Sequence, residues 1–245
     1  MKLKTSEFTT TPILGYNVFS GSIETIGTTK KTVVDTINQY SYCIAERDEE
    51  FKNSLKNADV LLPDGVGIVA AAKFLRGERI RKIAGADLHL HLLTEMNKKD
   101  GSCFYLGSSQ TTIDKIKKKL QKEFPNIRME GYSPPFSAEF SLRDNQKMIK
   151  AVNSFNPDVL FVGMTAPKQE KWVESQKEFL KSKMICSIGA VFDFYAGTKK
   201  RPGKLWVKLG VEWLGRLFTE PARMSKRYLY YGPIFIYYIF FKGKT

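Results

Sequence analysis

Short apolar runs alternate along this chain with stretches in which apolar residues recur three and four positions apart. The runs are KTVVDTI (31 to 37), DVLLP (59 to 63), SCFYLG (102 to 107), PDVLFVGM (157 to 164) and MICSIGAVF (184 to 192). Between them, DEEFKNSLKNA, TIDKIKKKLQKEF and NQKMIKAVNSF carry the helical spacing. A run that is apolar throughout fits a strand covered on both faces, and strands separated by amphipathic helices pair in parallel. The pattern predicts an α/β fold, a Rossmann-like, mostly parallel sheet flanked by helices.

Several predicted strands end on polar or glycine residues: Thr36 with Asn38, Asp64 with Gly65, Gly107 with Ser108 and Ser109, Gly163 onward to Gln169, then Gly189. Ligands of open α/β sheets collect at the carboxyl ends of strands, so these positions are candidates for one crevice. Asp64 has two readings, a cap for the helix that follows or a pocket carboxylate able to accept a proton. Asp193, between Phe192 and Phe194, is a second candidate acid or part of a simple turn. Gly107, Ser108 and Ser109 before TIDKIKKKL offer either a helix N-terminus for a phosphate or a routine strand-to-helix turn. Neither a G-x-G-x-x-G nor a G-x-x-x-x-G-K-[ST] string is present. His89 and His91 diverge on a helix and lack an H-E-x-x-H frame, so a helix surface or satisfied partial burial is preferred for them over metal ligation. With no D-x-D pair of acids either, metal-independent chemistry without a cofactor is the expectation.

Composition changes the picture at the carboxyl end. Within 245 residues the net charge is +14, and residues 199 to 245 hold eleven lysines and arginines against Glu212 and Glu220, a net charge of +9. That asymmetry sets a boundary between an α/β domain (1 to 198) and a basic, aromatic appendage (199 to 245). The appendage ends in YLYYGPIFIYYIFF (228 to 241), in which eight of fourteen residues are Tyr or Phe. It is too short for an ordinary spanning helix, which needs about 20 apolar residues. Lys226, Arg227, Lys242 and Lys244 beside Tyr228, Tyr230, Tyr231, Phe235, Tyr237 and Tyr238 suit an anionic membrane surface. A buried strand or a subunit contact, making a homo-oligomer, is the alternative. Cys43, Cys103 and Cys186 are odd in number and far apart, as free thiols in a reducing compartment would be, and the N-terminus has no signal-peptide pattern.

Seven strings taken together resemble the WecG/TagA/CpsF family of bacterial glycosyltransferases. They are DTINQYSYCIAERDEEF, ADVLLPDGVGIVAAAKFL, IAGADL, FYLGSS, LFVGMTAPKQEKWV, IGAVFDFYAGTKKRPGKLW and LGVEWLGRLFTEPARMSKRYL, in the family's order over roughly residues 10 to 230. The resemblance implies an inverting transfer of a sugar from a UDP-sugar to a polyprenyl-diphosphate-linked saccharide in wall, capsule or exopolysaccharide synthesis, at the cytoplasmic face of the membrane. It makes Asp64 the general base, places Thr36 and Asn38 in the pocket, and makes Gln169 a substrate contact. From the appendage it implies Arg216 and Arg223 as further contacts, and a segment that approaches the membrane and helps close the site. At RIRKIAGADL the family commonly has Arg before the aliphatic residue, where this chain has Lys82 beside Arg81. Either cation would meet a phosphate, but Lys lacks the fork of a bidentate clamp.

Two other classes compete. A nucleic-acid-binding protein would explain the basic end, yet its aromatics form one apolar block rather than interleaving with cations along a groove, so no nucleic acid is expected. A non-catalytic membrane-associated scaffold would leave Asp64, Gln169 and the Gly107 turn without a role. The identity of the sugar depends on loops whose geometry the sequence does not place.

Overall fold

The computed structural model describes residues 8–27, 30–199 and 221–242. The chain enters through an antiparallel hairpin, β1 (Thr10–Ile13) and β2 (Tyr16–Phe19). Leu14 and Gly15 close it with φ of 50° and 82°, the two left-handed residues that a tight hairpin turn needs. Four-residue strands leave little periodicity to read, and this hairpin was not foreseen.

The expected βα series follows: β3 (Thr32–Ile37), α1 (Gln39–Ala45), α2 (Glu49–Asn57), β4 (Val60–Pro63), α3 (Val66–Arg76), α4 (Gly85–Asn97), β5 (Ser102–Gly107), α5 (Gln110–Glu123) and β6 (Arg128–Tyr132). It continues with α6 (Leu142–Phe155), β7 (Val159–Gly163), α7 (Lys168–Gln176), β8 (Met184–Ser187) and α8 (Val191–Ala196). Six strands form one sheet in the order β4-β3-β8-β7-β5-β6, parallel at every pairing. The α/β expectation therefore holds, with one correction. The run MICSIGAVF is not a single strand: β8 stops at Ser187, Gly189 turns the chain with φ of 49°, and Val191 onward is helical.

Alternation along the strands builds both faces. Val34, Tyr105, Phe161 and Cys186 pack with α4, α5 and α8 on one side, and Val33, Leu106, Leu160, Val162 and Ile185 pack with α6 and α7 on the other. A third cluster joins Ile37 and Leu61 to α1, α2, α3 and the end of the chain. Each fully buried Leu, Ile or Phe contributes about 1.5–3 kcal/mol relative to exposure, so this two-sided burial holds the strand ends in register. Cys43, Cys103 and Cys186 are free and buried.

The end of the chain is α9 (Pro221–Ser225), a π-turn at Lys226–Tyr230 and α10 (Tyr231–Lys242). The tail is thus helical rather than a buried strand, and it lies against α1. Tyr231 and Phe235 face inward and are buried, Phe235 and Tyr238 meet the Tyr42 ring edge-on at 5.4 Å, and Lys242 pairs with Glu46. Tyr231 and Phe235 are thus buried against the domain, while Lys242 stays exposed beside its Glu46 partner. No helix among the described residues is long and apolar enough to cross a membrane. Arg216, Lys244 and the side chain of Arg223 lie outside what is described, as do all residues from 200 to 220.

Candidate active site

A cleft of about 790 Å³ opens at the carboxyl ends of the parallel strands. Thr36 and Asn38 reach it from the end of β3, Asp64 from the end of β4, and Gly107, Ser108 and Ser109 from the end of β5. Gly163 and Gln169 line it after β7, and Gly189 and Asp193 after β8. β3 leads outward to β4, while β5 leads outward to β6 on the opposite side, so the cleft occupies the middle of the sheet where ligands of such folds bind.

Local structure explains how each group arrives there. Asn38 caps α1: its Oδ1 accepts from the Tyr40 and Ser41 amides at 3.0 Å, which leaves the amide nitrogen to donate elsewhere. Asp64 is not the cap of α3, because that position belongs to Gly65, whose φ is 150°. Its backbone amide donates to the Ile37 and Leu62 carbonyls at 2.9 and 3.0 Å, which anchors a half-buried carboxylate at the cleft wall. Gly107, with φ of 118°, passes so close to β7 that a Cβ would stand 2.5 Å from the Gly163 carbonyl oxygen. Ser108 donates its amide to that same oxygen at 3.0 Å, and Ser109 caps α5 by accepting from Thr112 N at 3.2 Å. The turn is therefore both a cap and part of the cleft wall. Asp193 sits in α8, where Thr198 Oγ1 donates to it at 3.2 Å and Lys199 approaches to 3.7 Å.

Several expected positions fall elsewhere. Arg81 and Lys82 do not line the cleft. His89 is buried, with a ring nitrogen 2.6 Å from the Tyr105 hydroxyl, and burial with the nearby Lys119 charge pushes its pKa down to about 3. It is a neutral core residue, as the preferred reading allowed. Among the described residues, no three His, Cys, Asp or Glu side chains gather as metal ligands.

The sequence also missed site residues. Among the described residues, the cations on the cleft are Lys168, Lys199 and Arg227. Arg227, expected at the membrane, instead lies 4.5 Å from the Tyr40 ring centroid, brought in by the turn before α10. Lys168 stacks 3.5 Å above the Phe140 ring and donates to the Ser137 carbonyl, bracing the loop 133–140 that forms one wall. Adjacent prolines at 134 and 135 were the only sequence signal there.

At the base of the cleft, Asp35, Gln169 and Glu170 are 1%, 3% and 2% exposed. Burial raises the carboxyls of Asp35, to about 7, and Glu170, to about 8, the latter also opposed by the Asp35 charge. Glu170 stood inside the APKQE string but showed nothing to separate it from a surface acid.

The family described as Glycosyl transferase WecG/TagA/CpsF family matches residues 13–245. A Bacillus subtilis (strain 168) protein named N-acetylglucosaminyldiphosphoundecaprenol N-acetyl-beta-D-mannosaminyltransferase is 29% identical over 79% of this chain and 74% of its own length. Proteins of the same name from Bacillus spizizenii and Staphylococcus aureus (strain NCTC 8325 / PS 47) are each 28% identical, over 74% and 86% of this chain and 69% and 74% of theirs. With a match that spans nearly the whole chain and a cleft at the sheet's carboxyl edge, this protein belongs to the WecG/TagA/CpsF family of glycosyltransferases.

Proposed function

We propose that the cleft transfers a sugar from a UDP-sugar to a polyprenyl-diphosphate-linked saccharide, in bacterial envelope or capsule polysaccharide synthesis. The observation that carries this reading is convergence: Asp64, Thr36, Asn38, the Gly107 turn and Gln169, scattered over 134 positions of sequence, meet in one cleft of a chain with this family membership. The relatives' printed names specify a diphosphoundecaprenol-linked acceptor and a β linkage, which a single displacement at an α-linked nucleotide sugar produces.

In that displacement Asp64 takes the proton from the acceptor hydroxyl as its oxygen attacks the anomeric carbon. The bond from that carbon to the diphosphate breaks, and the departing charge is met by Lys199, Arg227 and the amides that open α5, with Arg216 and Arg223 as further contacts. Asp193 holds Lys199 at the rim. Thr36, Asn38 and Gln169 orient the sugars. Arg81 and Lys82, outside the lining, are left as contacts for the acceptor beyond the cleft. No metal enters this scheme.

Residues 199–245 act as a peripheral membrane appendage. Tyr237, Phe240 and Phe241 are exposed on the final helix and Tyr230 on the turn before it, and Phe74 of α3 joins them with its ring 5.2 Å from Phe240. With exposed Lys226 nearby, this surface suits the headgroup layer of an anionic membrane on the cytoplasmic side. The test of the catalytic reading is UDP release by the purified protein given UDP-sugars and a polyprenyl-diphosphate-linked acceptor. Turnover that depends on both substrates supports it; a panel of donors without any turnover would overturn it.

A further inference from the structure

Four polar side chains lie packed at the base of the cleft with almost no access to water: Gln169 and Glu170 on α7, which line it, and Asp35 on β3 and Ser187 on β8 behind them. The Gln169 carboxamide is fixed at both ends. Its Oε1 accepts from the Met164 amide at 3.2 Å, and its Nε2 donates to Glu170 Oε1 at 2.8 Å. A flipped amide would set two donors face to face at Met164 and two acceptors at Glu170, so the orientation is determined as long as Glu170 Oε1 remains an acceptor. Gly189 presses on the same group: a Cβ there would stand 3.3 Å from Oε1 and 3.5 Å from Nε2.

Glu170 Oε2 is buried without a hydrogen-bond partner, and Asp35 Oδ1 and Ser187 Oγ are buried beyond ordinary hydrogen-bond geometry, with the Ser187 hydroxyl close enough to ease the rise of the Asp35 carboxyl but not to cancel it. Of the charges that face the pair, Lys177 is 2.7 Å from Glu174 and shares its charge with that acid, Glu174 itself opposes Asp35, and Cys186 on β8 is a buried neutral thiol. Two ionised carboxylates in such a place are far less stable than a pair that keeps a proton.

We propose that Glu170 and Asp35 are positioning residues for the transfer reaction: a buried carboxyl pair that retains a proton and clamps the Gln169 carboxamide, presenting its second Nε2 hydrogen to an oxygen of the bound substrate. The inference rests on the cleft being the transfer site. Glu170 acts through the carboxamide it holds, and Asp35 acts on Glu170 by opposing its negative charge.

The sign of the pH effect follows from burial. Both carboxyls have folded-state pKa values raised above the ordinary carboxylate range, so the folded protein holds protons that the unfolded chain has lost. Stability therefore declines as pH rises from about 4 through about 8. The proposal predicts that the wild-type melting temperature falls between pH 6 and pH 9, and that Asp35→Asn and Glu170→Gln each flatten the fall.

Kinetics separate positioning from mere packing. Glu170→Gln keeps an acceptor for Gln169 and should retain kcat/KM within a few-fold at pH 7. Glu170→Ala should lose about tenfold, the upper end of the scale for one ordinary hydrogen bond. In the Gln169→Ala background, Glu170→Ala should lose nothing further, because its effect passes through Gln169. Additive losses in that double-mutant cycle, or melting profiles of Asp35→Asn and Glu170→Gln that decline as steeply as the wild type, would overturn the proposal. Should Glu170→Ala fail to fold, the Glu170→Gln and Asp35→Asn melting profiles decide alone. A wild-type protein without UDP-sugar turnover would sink the functional reading instead, and the melting profiles, which need no substrate, would still judge the pair.

Discussion

Asp35 and Asp64 stand on neighbouring strands of one sheet, in surroundings that make them different chemical groups. Asp35 pairs across the β3–β4 ladder with Leu61, in the middle of the sheet, where burial raises its pKa. Asp64 follows β4 by one residue and lines the cleft. Three residues of strand, about 10 Å, separate a carboxyl sealed from water from one that can meet a substrate hydroxyl. The contrast extends to the regions around them. The floor below the sheet edge is buried, while the rim carries Lys168, Lys199 and Arg227. The rim is equipped to exchange protons and charge with ligands, and the floor to hold rim residues in place.

The largest expected effect tests the rim directly. Asp64→Asn keeps the shape and removes the base, so turnover at saturating donor and acceptor should fall by ~10²-fold or more. Turnover within about twofold of the parent would remove Asp64 from that role. Asp35→Asn should sharpen the contrast, leaving turnover near pH 7 within a few-fold while raising the melting temperature at pH 9.

A smaller loss is expected from Arg227→Ala. Removing a cation that lines the cleft should weaken UDP binding by about tenfold, as for one charge-assisted contact, and titration calorimetry with UDP measures it. Unchanged UDP affinity would return Arg227 to the membrane surface where its sequence neighbours first placed it.

The outer aromatics offer a third, more modest difference. Replacing Tyr237 and Phe241 together by Ser should lower cosedimentation with anionic vesicles several-fold and leave UDP affinity unchanged, since both side chains are exposed and neither lines the cleft. Vesicle binding of the wild type should weaken with added salt. Equal vesicle binding by the double variant would sink the membrane role of this face. The smallest effect is none at all: turnover should survive thorough chelation. Loss in chelator with recovery on adding magnesium or manganese would redirect attention to Asp64 and Asp193 as ligands.

Much of this protein is written in local pattern. Apolar runs bounded by turns determined β3, β4, β5 and β7, because a strand buried on both faces must be apolar throughout. Spacing of three and four located α2, α5 and α6, and polar residues at strand ends pointed to Thr36, Asn38, Asp64, the Gly107 turn and Gln169, all of which the fold gathers. Tertiary structure decided what local pattern could not. It turned α10 so that Tyr231 and Phe235 pack on α1 while Tyr237 and Phe241 remain outside, a choice invisible in a segment apolar on every side. It carried Arg227 into the cleft and left Arg81 and Lys82 out, because a cation's partner is set by the path of the chain around it. It also separated Asp35 from Asp64, since the environment of a carboxyl comes from the strands and helices packed around it, and those are distant in sequence.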